Sequence, residues 1–294
     1  MKQFLKSVFV IVLLLCVVSA CQARTLRVFA IGNSFSGNAA KYLVPIAKSG
    51  GHELILKRAE IGGCPLEKHW NGVAATLADA NNEKGKIYNG KSLKELMGET
   101  KWDVITMQQY SLLSPNVETY QPYATKLRDY VKALQPQSEI VLHQTWAYRV
   151  DSKDWGYITR NQRATNQKQM WEKSRAAYHQ VAKELDVKVI PVGDAFYAVD
   201  TDPKWGFKAS ESSDLPDQTH SLHVGYDSKP DKLTFDSHHA GPAGCYLAGL
   251  VWYAFLFNES PEKITFTPPD VPADFAAYLR KVAWQVVQTV QAEH

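Results

Sequence analysis

Three residues of this chain have the types and spacing that nucleophilic catalysis requires. Ser34 directly follows an apolar, β-rich run, and Asp236 and His239 form an Asp-x-x-His segment more than two hundred positions later. A serine hydroxyl is a poor nucleophile until an imidazole takes its proton, and that imidazole needs a carboxylate to hold its tautomer. The alternatives without a catalytic role are that Ser34 or Asn33 caps a helix and that the two adjacent histidines lie in a solvated loop. Together the three residues predict acyl transfer.

The elements that must position these residues alternate along the chain. Short apolar strands are predicted at Leu26 to Ile31, Glu53 to Ile61, Asp103 to Gln108, Ile140 to Gln144 and Val187 to Val192. Helical patterns follow most of them, including a long helix from about Lys168 to Leu185 and an apolar one from Cys245 to Phe257 after Pro242. This order predicts one α/β domain, a doubly wound, mostly parallel sheet with helices on both faces. The site is then expected at the carboxyl ends of the strands.

Two long segments interrupt the alternation and are predicted to be irregular insertions, at about 146–166 and 194–234. The first carries Trp146 and Tyr148, whose rings either stack on a sugar or staple the insertion to the domain. Asp194, which is expected to end the fifth strand, either faces the site or caps a helix. No domain linker is evident between residues 24 and 294.

Four segments resemble conserved blocks of the SGNH/GDSL hydrolase superfamily, whose fold is a flavodoxin-like three-layer α/β sandwich. Ile31-Gly32-Asn33-Ser34-Phe35-Ser36 is similar to its first block and Asp236-x-x-His239 to its last. Ile61-Gly62-Gly63 resembles the glycine block, and Asp103 to Gln109 resembles the third strand. The likeness covers about Arg27 to Phe257 and is closest to a poorly characterised bacterial branch with a Gly-Asn-Ser-Phe start.

The resemblance implies a role for each matching residue. Ser34 would be the nucleophile, His239 the general base and then acid, and Asp236 the orienting carboxylate. The Ser34 and Gly63 backbone N–H groups would hold the oxyanion. The family's third donor, an asparagine in a Gly-x-Asn sequence, is missing here, because Gln-Gln-Tyr-Ser occupies that region. We expect Gln109 to replace it rather than Gln108, since Gln109 lies further out along the strand.

Other titratable residues have simpler interpretations. His143 lies in the predicted fourth strand and is expected to be a hydrogen-bonded core histidine. His220, His223 and His238 could be imagined as metal ligands, but no predicted strand or helix holds them together, so a flexible loop is favoured. Cys64 and Cys245 either pair or remain small buried hydrophobic residues, because bridging requires Cα atoms within about 7 Å of each other.

The first twenty residues have the layout of a secretory signal. Two lysines precede an unbroken apolar run from Val8 to Val18, which is too short to span a bilayer. Val18-Ser19-Ala20-Cys21 resembles the bacterial lipobox, which predicts cleavage before Cys21 and a lipid on that residue. Cleavage after Ala23 is the alternative. The expected location is therefore the periplasm or cell surface.

Composition narrows the function further. Without Lys2 and Lys6, the chain has 31 basic and 30 acidic residues, so a broad nucleic-acid-binding face is not expected. The sequence predicts a secreted serine esterase that removes acyl groups, acetyl above all, from a carbohydrate or related ester. No cofactor or metal is expected, and the only expected membrane contact is the lipid on Cys21. The alternatives are a non-catalytic carbohydrate-binding protein on this fold and a lipase or thioesterase.

Overall fold

The structure is a computed structural model that describes residues 23–209, 218–229 and 232–293. The predicted signal peptide and the lipidation site at Cys21 lie outside the described residues. Among the helices that the structure describes, none is long and apolar enough to cross a membrane.

A five-stranded parallel sheet forms the centre of the fold. Its strands, in chain order, are β1 (Thr25–Gly32), β2 (Glu53–Glu60), β3 (Val104–Met107), β4 (Glu139–His143) and β7 (Lys188–Ile190). Their spatial order is β2-β1-β3-β4-β7, and every neighbouring pair is parallel. The chain therefore winds outward from β1 in both directions, as the alternating sequence pattern predicts.

Nine helices accompany the sheet within the described residues. They are α1 (Ser34–Ala40), α2 (Leu43–Ser49), α3 (Leu66–Ala78), α4 (Leu93–Met97), α5 (Tyr123–Leu134), α6 (Gln167–Leu185), α7 (Val192–Asp200), α8 (Pro242–Phe257) and α9 (Ala273–Ala292).

The two faces of the sheet are buried in separate hydrophobic clusters. In β1, Val28 and Ala30 belong to the cluster that includes residues of α1, α2, α7, α8 and α9, whereas Phe29 and Ile31 belong to the cluster with α3, α4, α5 and α6. Alternate side chains of a strand point to opposite faces, so a strand buried on both sides has to be apolar throughout. This confirms the predicted three-layer α/β class.

The two segments predicted to be irregular contain regular structure, which corrects that part of the prediction. The first holds a small hairpin of β5 (Tyr157–Thr159) and β6 (Gln162–Arg163). The second begins inside α7 and contains β8 (His223–Lys229), together with the start of its antiparallel partner β9 (Lys232–Ala240). The predicted fifth strand ran on to Val192, but Pro191 ends it and α7 begins at the next residue. Helix α3 was also missed.

The two cysteines of the described chain do not form a disulfide bond. Both Cys64 and Cys245 are free and buried, and burial raises the pKa of each thiol to about 11. They therefore behave as small hydrophobic residues, which was one of the two alternatives that the sequence left open.

Candidate active site

Ser34 lies at the junction between the central strand and its helix. Strand β1 ends at Gly32, and Ser34 is the first residue of α1. Asn33 caps the helix, because its side-chain Oδ1 accepts the Phe35 N–H at 3.1 Å. A Cβ atom at Gly32 would collide with the side chains of Ser36 and Gln108, so glycine is required there. The sharp turn leaves Ser34 half-buried at the carboxyl edge of the sheet.

Asp236 and His239 are delivered by an irregularity in the β8–β9 hairpin. Gly225 pairs with Asp236 and His223 pairs with Ala240, so a single residue of β8 faces three residues of β9. The extra residues form a bulge. Within it the Asp236 Oδ1 accepts the backbone N–H groups of His238 at 3.0 Å and His239 at 2.9 Å. The Asp-x-x-His spacing lets one local bend present both side chains, and the bulge in β9 is that bend.

These residues form one hydrogen-bonded chain. The His239 Nδ1 lies 2.7 Å from the Asp236 Oδ2, and the His239 Nε2 lies 2.9 Å from the Ser34 Oγ. A carboxylate only accepts hydrogen bonds, so Nδ1 carries the proton and the neutral Nε2 accepts from the Ser34 hydroxyl. The arrangement can therefore take a proton from Ser34.

A second contact joins the two halves of the site. The Asn38 Oδ1, on the same helix as Ser34, accepts the Ala240 N–H at 3.1 Å, one residue after His239. The two chain segments are thus joined by this bond from a main-chain N–H to a side chain, in addition to the bond between the Ser34 and His239 side chains. This fixes the separation of Ser34 and His239, which are 205 positions apart in sequence.

The charge of Asp236 is strongly stabilised. Burial raises the pKa of this carboxyl, but hydrogen bonds from the His238 and His239 rings and backbone N–H groups outweigh that effect and hold the pKa well below its usual range. The His238 Nδ1 lies 2.9 Å from Oδ1, so two imidazoles share the carboxylate. The sequence favoured a loop position for His238 over metal binding and did not predict its bond to Asp236, although its position beside His239 was the available signal.

The glycine block forms a tight turn next to the serine. The Cys64 N–H donates to the Ile61 carbonyl at 3.1 Å, and Gly63, with φ of 60°, takes the left-handed position that favours glycine. Among the described residues, neither the Ser34 N–H nor the Gly63 N–H has a hydrogen-bond acceptor. Both donors are therefore available to a ligand.

The glutamines after β3 are engaged elsewhere. The Gln109 Nε2 donates to the Thr119 carbonyl at 2.9 Å and to its hydroxyl at 3.1 Å, while the Gln109 Oε1 accepts from the Leu66 and Tyr110 N–H groups. The Gln108 Nε2 donates to the Asn33 Oδ1 at 2.7 Å. The expectation that Gln109 supplies the third oxyanion donor is thus not supported, because its amide protons are already bonded.

The two rings predicted to bind substrate are buried, so the structure contradicts that role. Trp146 is 0% exposed and Tyr148 is 5% exposed. The Trp146 Nε1 donates to the His238 carbonyl at 2.9 Å, and its ring stacks on Phe35 with centroids 4.2 Å apart. The Tyr148 hydroxyl is bonded to the Ser111 Oγ at 3.0 Å. They staple the insertion to the domain, which was the other interpretation of these rings.

His143 and Asp194 do not belong to the site. His143 is fully buried as expected, but neither ring nitrogen has a partner among the described residues, so the expectation of a hydrogen-bonded histidine was wrong. Asp194 lies in α7 rather than at a strand end, where its carboxylate accepts from Gln144, Trp171 and Arg175.

The histidines considered as metal ligands lie apart. His223 is buried with its Nε2 3.0 Å from the Ala147 carbonyl, and the His220 ring packs between Trp205 and Phe275. The ligand atoms of Asp236, His238 and His239 do lie within 4.8 Å of one another. In that group, however, each Nδ1 faces its own carboxylate oxygen and the His239 Nε2 faces a hydroxyl. This is the geometry of hydrogen bonding, rather than of three lone pairs converging on one cation.

Two cavities, of about 510 and 930 Å³, are found at the opposite, amino edge of the sheet. Both include Glu139 and Lys188, where β4 and β7 begin. They are therefore separate from the Ser34 site.

The fold and site together define a three-layer α/β protein with a hydrogen-bonded Ser-His-Asp chain at the carboxyl edge of its sheet. Residues 27–203 match the model of a domain of unknown function, DUF4886, and this chain belongs to that family. The matched range includes Ser34 and Gly63 but ends before Asp236. No curated protein matches the chain.

Solved structures resemble this one to different degrees. A DUF4886 family protein from Bacteroides uniformis is 23% identical, with a TM-score of 0.71 over 90% of this chain and 95% of that chain. A protein from Slackia heliotrinireducens assigned to the SGNH hydrolases is 19% identical, with a TM-score of 0.46 over 77% of this chain and 96% of that one. A protein from Parabacteroides merdae assigned as a GDSL-like lipase is 14% identical, with a TM-score of 0.45 over 79% and 96%. The first of these likenesses shows the shared fold.

Proposed function

We propose that this protein is a serine esterase that hydrolyses acyl esters through an acyl-Ser34 intermediate. One observation carries the proposal, namely the continuous hydrogen bonds from Ser34 to His239 at 2.9 Å and from His239 to Asp236 at 2.7 Å. Both distances lie within the range that proton transfer requires. The same chain argues against a non-catalytic binding protein, for which no such alignment is needed.

In the first half of the reaction, Ser34 attacks the ester carbonyl while His239 takes the hydroxyl proton. The carbonyl oxygen becomes an oxyanion, which the N–H groups of Ser34 and Gly63 bind in this proposal. Asp236 stabilises the imidazolium that forms, since its low pKa keeps it ionised. His239 then gives the proton to the leaving alcohol, so that the C–O bond breaks and the acyl group remains on Ser34.

In the second half, water takes the place of the alcohol. His239 removes a proton from the water, the hydroxide attacks the acyl carbonyl, and Ser34 leaves with the proton returned by His239. The products are a carboxylic acid and the free enzyme. The proton transfers in both halves use the Ser34 and His239 side chains, which are already hydrogen-bonded to each other.

The proposed substrate is an acetyl or other small acyl ester of a carbohydrate or related alcohol. The predicted export signal supports a substrate outside the cytoplasm. The loop tryptophan and tyrosine no longer support it, because both are buried. Tyr110 remains at the site, with its ring 3.8 Å from the position that a Cβ atom on Gly63 would occupy, and its amphipathic ring suits a sugar face. A lipase or thioesterase would instead prefer long acyl chains.

The proposal is tested with the purified protein and 4-nitrophenyl acetate. We expect turnover by the wild type and a loss of at least about a thousandfold in Ser34→Ala, because the nucleophile is removed. Ser174→Ala is the matched control, since Ser174 is a buried helical serine bonded to Ser114 on another part of the chain. Equal rates in wild type and Ser34→Ala would refute the proposal. A panel of acetylated glycans and longer acyl esters then separates the substrate classes.

A further inference from the structure

The turn that carries Gly63 is held on its carboxyl-terminal side by two side chains, which follow the neighbouring strands β1 and β3. At Cys64, the backbone carbonyl accepts the Asn33 Nδ2 at 3.1 Å. Two residues later, the Leu66 N–H donates to the Gln109 Oε1 at 3.1 Å. Asn33 is 0% exposed and Gln109 is 1% exposed, so both bonds are shielded from water. The position of the Gly63 N–H is therefore set by residues outside its own turn.

Asn33 is itself oriented by a second buried side chain. The Gln108 Nε2 donates to the Asn33 Oδ1, while the Gln108 Oε1 accepts the Ser36 hydroxyl. The Asn33 Oδ1 also accepts the Phe35 N–H. With both of its acceptor sites used, the Asn33 amide has only one orientation, and in it Nδ2 points at Cys64.

We propose that Asn33, oriented by Gln108, is a positioning residue that holds the Gly63 N–H in register with Ser34 for oxyanion binding. The inference rests on the proposed function. Asn33 directly precedes Ser34 in the chain, and its amide donates to the carbonyl of Cys64, the residue after Gly63. The Asn33 side chain thus connects the turn that carries the Gly63 N–H to the segment that carries the Ser34 N–H.

The link between Asn33 and the Gly63 turn matters because this chain lacks the asparagine donor of the family that it resembles. An oxyanion donor acts only when it lies about 2.7 to 3.1 Å from the place that the charged oxygen will occupy. Because the Gln109 amide is bonded to Thr119, only the two proposed backbone donors remain. If one of them is displaced, there is no third donor to stabilise the oxyanion in its place. Residues 108 and 109 thus serve to fix the two donors rather than to add a third.

Asn33→Asp tests the inference with a single-atom change. The aspartate keeps an oxygen for the Phe35 N–H and the Gln108 amide, but it replaces the Nδ2 donor with an oxygen that repels the Cys64 carbonyl. We expect kcat for 4-nitrophenyl acetate to fall by about tenfold to a hundredfold while KM changes less than twofold. A boronic acid, which mimics the tetrahedral state on Ser34, should bind more weakly by a similar factor.

Asn166→Asp is the control. Asn166 caps α6, where its side chain accepts the Gln169 N–H at 2.8 Å and donates to the Thr165 hydroxyl, so the variant makes the same amide-to-carboxylate change in a capping residue on another helix. This variant should keep the wild-type kcat. Gln108→Met is the second test, because it removes both bonds of the glutamine without adding a buried charge, and kcat should fall with KM retained.

The outcomes separate this inference from the proposed function. A wild-type kcat in both Asn33→Asp and Gln108→Met, or a change confined to KM, would overturn the positioning role while leaving the esterase intact. If Asn33→Asp does not fold, Gln108→Met decides alone. A wild type with no more turnover than Ser34→Ala would remove the esterase and the positioning role together.

Discussion

His143 is buried in the core, and neither of its ring nitrogens has a hydrogen-bond partner among the described residues. It is 0% exposed, it packs edge-on against Trp252 with ring centroids 5.2 Å apart, and burial lowers its pKa to about 3. In the unfolded chain the pKa returns to about 6.5, so below that pH the unfolded state binds a proton that the native state excludes. The free energy of unfolding must therefore decrease as the pH falls from about 6.5 towards 3.

His143→Leu removes this linkage while it keeps the side-chain volume similar. At pH 5 the buried histidine costs the native state about 2 kcal/mol relative to pH 8. We expect the difference in unfolding free energy between pH 8 and pH 5, measured by urea denaturation, to be smaller in His143→Leu by about that amount. Parallel pH dependences in the two proteins would show that His143 does not stay neutral in the fold.

At the residue scale, the sequence was informative where chemistry is local. Asp236 and His239 are three positions apart, so one bulge could deliver both, and Ser34 directly follows the central strand. The role of Gln109 could not be predicted, because the Thr119 carbonyl and the Leu66 N–H come within hydrogen-bonding distance of its amide only in the folded chain. An amide in a loop has the same appearance in sequence whether it faces a substrate or a backbone carbonyl.

The β8–β9 hairpin is the element on which the geometry of His239 depends. Its bulge is supported from outside, because the Trp146 indole donates to the His238 carbonyl and stacks between Phe35 and Phe196. Phe35 follows Ser34 in α1, so the same indole contacts both halves of the site. Loss of this support should disturb the distance between the Ser34 Oγ and the His239 Nε2.

Trp146→Phe tests that support, since phenylalanine keeps part of the stack but cannot donate to His238. We expect kcat to fall about tenfold, equivalent to about 1.4 kcal/mol of transition-state stabilisation, with little change in KM. Trp155→Phe is the control, because Trp155 is 9% exposed in the same insertion and, within the described chain, its indole N–H has no partner on β9. Equal losses in the two variants would indicate a general effect of the insertion.

Elements were predicted well where the hydrophobic period was strong and poorly where polar residues interrupted it. The central strands and α6 lie close to their predicted positions because each buries an apolar face. Helix α7 was missed because it follows Pro191 with no loop between, which merged strand and helix into one apolar run. The strands β8 and β9 were missed because their many polar residues give no clear hydrophobic alternation.

For the molecule as a whole, β1 runs from the amino edge of the sheet to its carboxyl edge, so its two ends lie on opposite sides. The strand begins at Thr25 on the amino edge and ends at Gly32, just before Ser34 on the carboxyl edge. Eight residues of strand span about 26 Å. A tether attached just before Thr25 would therefore hold the amino edge towards its anchor and leave Ser34 facing the opposite direction.

We propose on this basis that the exported chain begins at Cys21 and carries a lipid there, so that the site faces away from the membrane towards esters in the surrounding medium. The lipobox-like Val18-Ser19-Ala20-Cys21 sequence supports the proposal. The intact mass of protein extracted from the membrane fraction should equal residues 21–294 plus the attached acyl groups, and Cys21→Ala should move the protein to the soluble fraction. A mass that begins at residue 24, without lipid, would show instead that cleavage follows Ala23 and that the protein is released.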